Sequence, residues 1–131
     1  MEQSQDPTYN GNVTIRCTLE EMEAMEREKE ERARQRYQND PQAAAIKLYE
    51  IAITDTGGGR AASALLLSLW NNRFAANMRD VVSTLDIDNS QAMLALLTHV
   101  GPFHHLERYL TEEQIRRVIA VWGDQHQRAQ A

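Results

Sequence analysis

The run Gly57-Gly58-Gly59-Arg60 is the first place in the chain where residue types and spacing bear on chemistry. Unpaired backbone N–H groups at a helix N-terminus attract anions, and an arginine beside them can grip a phosphate or carboxylate through two nitrogens. The run is not a P-loop, whose G-x-x-x-x-G-K-[ST] spacing follows a strand, and a dinucleotide fingerprint also needs that strand. Glycines between two helices serve more commonly to take positive φ and to let the helices approach. A helix N-terminus disfavours a cation unless an anion lies close. Arg60 is therefore expected to pair with Asp55, five residues upstream, or with another carboxylate, and to clamp the turn.

Three further groups invite a chemical reading. His99, His104 and His105 fall within seven residues, but the i, i+4 spacing of H-E-x-x-H is missing and only Glu107 could complete a ligand set. No metal site is expected from them. Cys17 lies in a polar stretch with no histidine beside it and no sign of activation. Asp86 and Asp88 suit the cap of a helix beginning near Asn89 better than paired-carboxylate catalysis. Trp70 and Trp122 end apolar stripes and are expected in the core, although an exposed Trp70 would make an interface anchor.

The elements that must position these residues read as helices throughout. Thr18-Leu19-Glu20-Glu21 fits a capping box and opens a charged arm through Glu20–Arg36. Within it Glu23/Arg27, Glu28/Arg32 and Glu30/Arg34 stand four apart in the favourable order. Its apolar residues leave a gap from 26 to 32, so no continuous coiled-coil seam is expected. Asp40-Pro41 caps the next helix, in which Ala45, Leu48, Tyr49 and Ala52 share a face and which the triple glycine should end. Arg60–Asn71 is the most apolar segment. Ala61, Ala62, Leu65, Leu66 and Leu69 fill one arc, with Arg60, Ser63, Ser68 and Asn71 as a narrow polar window. Such a helix should be central. Asn77 can cap a short helix through Val81, Val82 and Leu85, and Asp88 another carrying Met93, Leu96, Leu97 and Val100, broken by Gly101-Pro102. Thr111-Glu112-Glu113-Gln114 opens a last helix through Ile115, Val118, Ile119 and Trp122, with Gly123 as its expected end.

The segment Asp55-Thr56-Gly57-Gly58-Gly59-Arg60, followed by Leu66-Leu67 and Trp70-Asn71, resembles the pattern D-T-G-x-x-R-x5-L-L-x2-W-N of an uncharacterised bacterial family, a domain of unknown function. Leu69 departs from that family, which often carries a second aromatic there. The resemblance extends over roughly 45–123 and leaves out the glutamate-rich arm. It implies a setting on plasmids and other mobile DNA and no particular activity.

Length and charge bound the rest. The 131 residues carry 14 Lys+Arg against 19 Asp+Glu and one cysteine. One cysteine cannot form an internal disulfide or a Cys-rich zinc site. The acidic balance argues against direct duplex-DNA binding. No run approaches the ~18 apolar residues of a spanning helix, so no membrane association and a cytoplasmic location are expected. The expected organisation is a disordered 1–17, a helical arm over 18–39, a compact all-α bundle of about four to five helices over 40–123, and a polar tail over 124–131. The leading functional expectation is a non-enzymatic accessory protein of a plasmid or phage, needing no cofactor. It would act by binding another protein or protein complex, for example as an inhibitor of a host defence complex. Gly57, Gly58, Gly59, Arg60 and Asn71 are candidate anion or partner contacts, and Trp70 is a candidate anchor. The alternative is a small-ligand or anion-binding domain, or an enzyme, centred on Gly57–Arg60.

Overall fold

The structure, a computed structural model, describes residues 11–129, with side chains from residue 18 onward. The described residues form six α-helices and no strand: α1 Gly11–Tyr37, α2 Pro41–Ala52, α3 Gly57–Trp70, α4 Met78–Thr84, α5 Ile87–His99 and α6 Glu112–His126. A 3₁₀ turn, Leu106–Arg108, precedes α6. The expected all-α bundle with a charged helical arm is thus present, with five helices behind the arm.

Local chemistry explains most boundaries. Asp40 accepts the Ala43 N–H at 3.0 Å while Pro41 occupies the first helical position, where a missing N–H is harmless. Asn77 caps α4 through the Asp80 N–H. The Thr111 hydroxyl accepts from Gln114 N, and the Gln114 side chain accepts from Thr111 N, closing both halves of a capping box. Asp86, rather than Asp88, caps α5, accepting the Asn89 N–H at 2.8 Å. Asp88 is thereby free to act between helices.

α3 is the hub. Every residue from Ala61 to Leu67 is buried, and the helix packs against α2, α4 and α6. Its polar window is not uniform: Ser63 is fully buried against α6, Arg60 and Ser68 are partly buried, and Asn71 is exposed. α2 packs on both α3 and α5, and α5 in turn carries α1. Ala44, Ala45, Leu48 and Ala52 of α2 meet Ala92, Met93, Ala95 and Leu96 of α5 and the α3 leucines in one core. The small alanines let the three helices close on each other.

Four boundaries differ from the sequence reading. α1 begins at Gly11, so Thr18 lies inside a continuous helix and its capping box is unused. There the Glu21 N–H is satisfied by the carbonyl four residues back. Residues 1–10 of the expected disordered segment lie outside the described residues. The triple glycine is the first turn of α3 rather than the end of α2. Gly123 sits within α6, which runs on to His126. The chain beyond is pinned: Ala75 N donates to His126 O at 2.8 Å and Arg128 N to Arg73 O at 2.8 Å, an antiparallel bridge in place of a free tail. Residues 130 and 131 lie outside the described residues.

Candidate functional site

The triple glycine owes its composition to crowding. None of the three residues has a positive φ. A Cβ on Gly59 would collide with the backbone carbonyls of Thr54 and Ile51, and one on Gly58 would sit 2.5 Å from Ile51 Cδ1, whereas Gly57 has only Thr84 Cγ2 at 3.7 Å. α3 starts so close to the end of α2 that its third residue has no room for a side chain. The Thr56 hydroxyl caps the turn by accepting the Gly59 N–H at 2.9 Å, and it lies 2.7 Å from Thr54 Oγ1. The Thr54 carbonyl accepts the Trp122 indole N–H at 3.2 Å, which ties α6 to the same corner.

Arg60 does pair with a carboxylate, but the partner is Asp80 of α4. Arg60 Nη2 reaches Asp80 Oδ1 at 2.9 Å and Oδ2 at 3.1 Å, with Nε at 3.3 Å from Oδ2. Both side chains are two-fifths exposed. Asp55, nearer in sequence, is exposed before the N-cap and makes no ion pair among the described residues. Asn71 and Trp70 lie at the other end of α3, so they do not join Arg60 in one site. Eleven residues of helix separate Arg60 from Asn71, about 16 Å. Asn71 Oδ1 accepts the Arg73 N–H at 2.9 Å and turns the chain. Trp70 is half-buried, 6.1 Å from the Phe74 ring, and the Arg73 guanidinium lies over both rings. Trp122 is buried and stacks on His126 at 6.0 Å.

A serine–histidine pair lies in the interior, where the sequence gives no local signal of it. Ser63 Oγ and His126 Nε2 are 2.9 Å apart, a distance that suits nucleophile activation. Its surroundings do not. Ser63 is 0% exposed, and its hydroxyl donates to the Arg60 carbonyl at 2.9 Å. With that proton committed, His126 Nε2 must be the donor, and the pair is a clip holding α6 on α3. Burial lowers the His126 pKa below the ordinary 6.5. The Arg60 carbonyl opposes this and the Arg60 charge adds to it.

The clustered histidines do not converge. His99 Nδ1 bonds the Ala95 carbonyl at 2.8 Å, while His104 and His105 are exposed. Among the described residues no group of three metal-ligating side chains is assembled.

The arm engages the bundle by its last turns. Ala33 and Tyr37 are buried, at 2% and 5% exposure. Asp88 Oδ1 accepts from Arg36 at 2.6 Å, and Oδ2 accepts from the Tyr37 hydroxyl at 3.3 Å and lies 3.3 Å from Lys47 Nζ. One carboxylate of α5 thus joins α1 and α2. Of the expected pairs along the arm, Glu23/Arg27, Glu28/Arg32 and Glu30/Arg34 do not form, and Arg34 pairs with Glu31 instead. That contact lowers the Glu31 pKa, chiefly through its hydrogen bond to Arg34. Beyond the anchor, Leu19, Met22 and Met25 are 55%, 51% and 54% exposed.

These features define an all-helical domain with a docked helical arm. The chain belongs to a family of unknown function (DUF7673), whose model matches residues 42–123. No curated protein and no solved structure matches the chain. The matched span omits Ala33, Tyr37 and His126, all of which are buried in this structure. No helix among the described residues is long and apolar enough to cross a membrane.

Proposed function

We propose that this protein works by binding another macromolecule through its helical arm rather than by transforming a substrate. The observation that carries this reading is the contrast along α1. Its last turns are fixed by Ala33, Tyr37 and the Asp88 contacts, while Leu19, Met22 and Met25 are held out with half of each side chain in water. A helix presenting apolar side chains at i, i+3 and i+6 from a rigid base is suited to helix-in-groove or helix-on-helix recognition. Methionine adapts readily to such contacts. A role as an accessory protein of a plasmid or phage, for example in blocking a host defence complex, extends this reading and rests on the family resemblance alone.

The rival reading, an anion or small-ligand site at Gly57–Arg60, finds less support. The Thr56 hydroxyl already takes the Gly59 N–H, and Asp80 already takes the Arg60 guanidinium. A phosphate would also face the Asp80 carboxylate. The test is a photo-crosslinking amino acid placed at Met22, with Arg117 on α6 as control, in cells expressing the full chain. Discrete adducts from position 22 and none from 117 are expected. Equal or no adducts from both would overturn the reading, and a thermal shift with inorganic phosphate or a nucleotide, abolished by Arg60→Ala, would favour its rival.

A further inference from the structure

The arm carries opposite charge at its two ends. Residues 18–26 hold Glu20, Glu21, Glu23 and Glu26 and no base. Residues 27–36 hold five bases, Arg27, Lys29, Arg32, Arg34 and Arg36, against three acids. A single stripe runs through both halves. Met22, Met25, Lys29 and Arg32 follow each other at spacings of three, four and three, which keeps them on one side of a helix. All four are exposed, and neither Lys29 nor Arg32 forms an ion pair among the described residues. Both residues border an open cleft of about 580 Å³ beside the start of α5, also lined by Arg36, Asp86, Ile87 and Asp88.

We propose that the macromolecule bound by the arm is a second copy of this chain, paired arm to arm in antiparallel fashion about a two-fold axis. The proposal rests on the binding role argued above and names its partner. The charge pattern selects the occupant. In an antiparallel pair the acidic outer half of each arm lies along the basic inner half of the other, and the two-fold makes every contact twice. A parallel pair would set glutamates against glutamates and drive the two bundles into one another. Lys29 and Arg32 carry long aliphatic stems, which can cover the partner's methionines while their charged heads reach the glutamates flanking them. The outer arm has the necessary reach. Gly11 to Glu26 spans about 22 Å, whereas Met25 to Arg36 takes up only about 16 Å. Two unpaired cations, a complementary row of glutamates and a continuous stripe are thus all answered by one partner.

Sedimentation equilibrium of the full chain tests this. The expected mass is twice 15.0 kDa, with dissociation promoted by added salt. Met22→Asp with Met25→Asp, and separately Lys29→Glu with Arg32→Glu, should each weaken the dimer at least about tenfold, a change of 1.4 kcal/mol or more. Thermal melts at concentrations low enough for the unaltered chain to be a single copy should stay unchanged, since these side chains are exposed there. In a Cys17→Ser background, Met25→Cys should form an intermolecular disulfide readily and Thr18→Cys should not. A 15.0 kDa species at every soluble concentration would overturn the pairing. So would a dimer indifferent to both double substitutions, or equal disulfide formation at 18 and 25. The binding reading itself would survive a monomeric result if the Met22 crosslinker captured a different protein, and would fall with the pairing if it captured nothing.

Discussion

Three adjacent glycines should respond to alanine in three different ways, because the space around them differs. In an open helix position Gly→Ala stabilises by about 0.4–1 kcal/mol, mainly by narrowing the unfolded ensemble. Gly57 meets that condition, with a methyl group of Thr84 in ordinary contact at 3.7 Å, so Gly57→Ala should raise stability slightly. At Gly58 the obstacle is the far end of Ile51, a side chain that can rotate, and the gain and the rearrangement should nearly offset each other. At Gly59 the obstacles are the carbonyl groups of Thr54 and Ile51, which cannot move without separating α3 from α2. Overpacking of that kind costs about 1–3 kcal/mol. Separation would also strain the Thr56 cap and the Trp122–Thr54 hydrogen bond, each worth about 1 kcal/mol. Less the propensity gain, Gly59→Ala should lose about 2–3 kcal/mol. Urea melts with a shared m-value measure all three. A Gly59→Ala protein as stable as Gly57→Ala would refute the crowding argument, and three equal losses would point instead to a common backbone or ligand requirement.

The remaining expectations concern the arm, the buried clip and the ion pair. At concentrations too low for arms to pair, removing residues 1–28 should leave the melting midpoint nearly unchanged, whereas removing 1–38 also takes away Ala33 and Tyr37 and should cost about 3–5 kcal/mol. Equal effects in denaturant melts would show that the last turns of α1 do not belong to the core. His126 is held neutral by burial, its pKa lowered from 6.5, so its contribution is full above that value and is lost as pH falls through the lowered one. Stability measured between neutral and mildly acid pH should therefore fall on acidification, and His126→Gln should flatten that slope. An identical slope in the variant would count against the clip. A double-mutant cycle on Arg60 and Asp80 should give a coupling of no more than about 1 kcal/mol, since solvent screens both partners. A much larger value would mean that the pair is drier than its exposure indicates.

The parts of the fold written in neighbouring residues were legible, and the parts written across the chain were not. Asp40-Pro41, Asn77 and the Thr111 box announce helix starts because a cap needs only its own next three residues. The apolar spacing in α2, α3 and α6 found much of the core for the same reason. Gly123 misled because a glycine after an apolar stripe looks like a stop. Here it lies in α6 with the Phe74 ring 3.9 Å from where its Cβ would be, and Ile119 closer still. Asp55 misleads because nearness in sequence is not nearness in space, and the helix geometry turns Arg60 toward α4 instead. Ser63 and His126 are 63 positions apart, and no local pattern distinguishes a buried histidine from one in a polar tail. The role of Asp88 was hidden likewise, since an acid at the start of a helix satisfies the capping rule whether or not it also reaches two other helices.

The unbroken burial of Ala61–Leu67 has a consequence for how the molecule breathes. A helix covered on every side cannot expose its amide protons by local fraying. Those amides should exchange with solvent only when the whole bundle opens, and their exchange rates should report the global unfolding free energy. In the single copy the outer turns of α1, where Leu19 and Met22 are more than half exposed, should exchange orders of magnitude faster. α3 is therefore the last structure to let go, and the arm can be lost and regained many times while it holds.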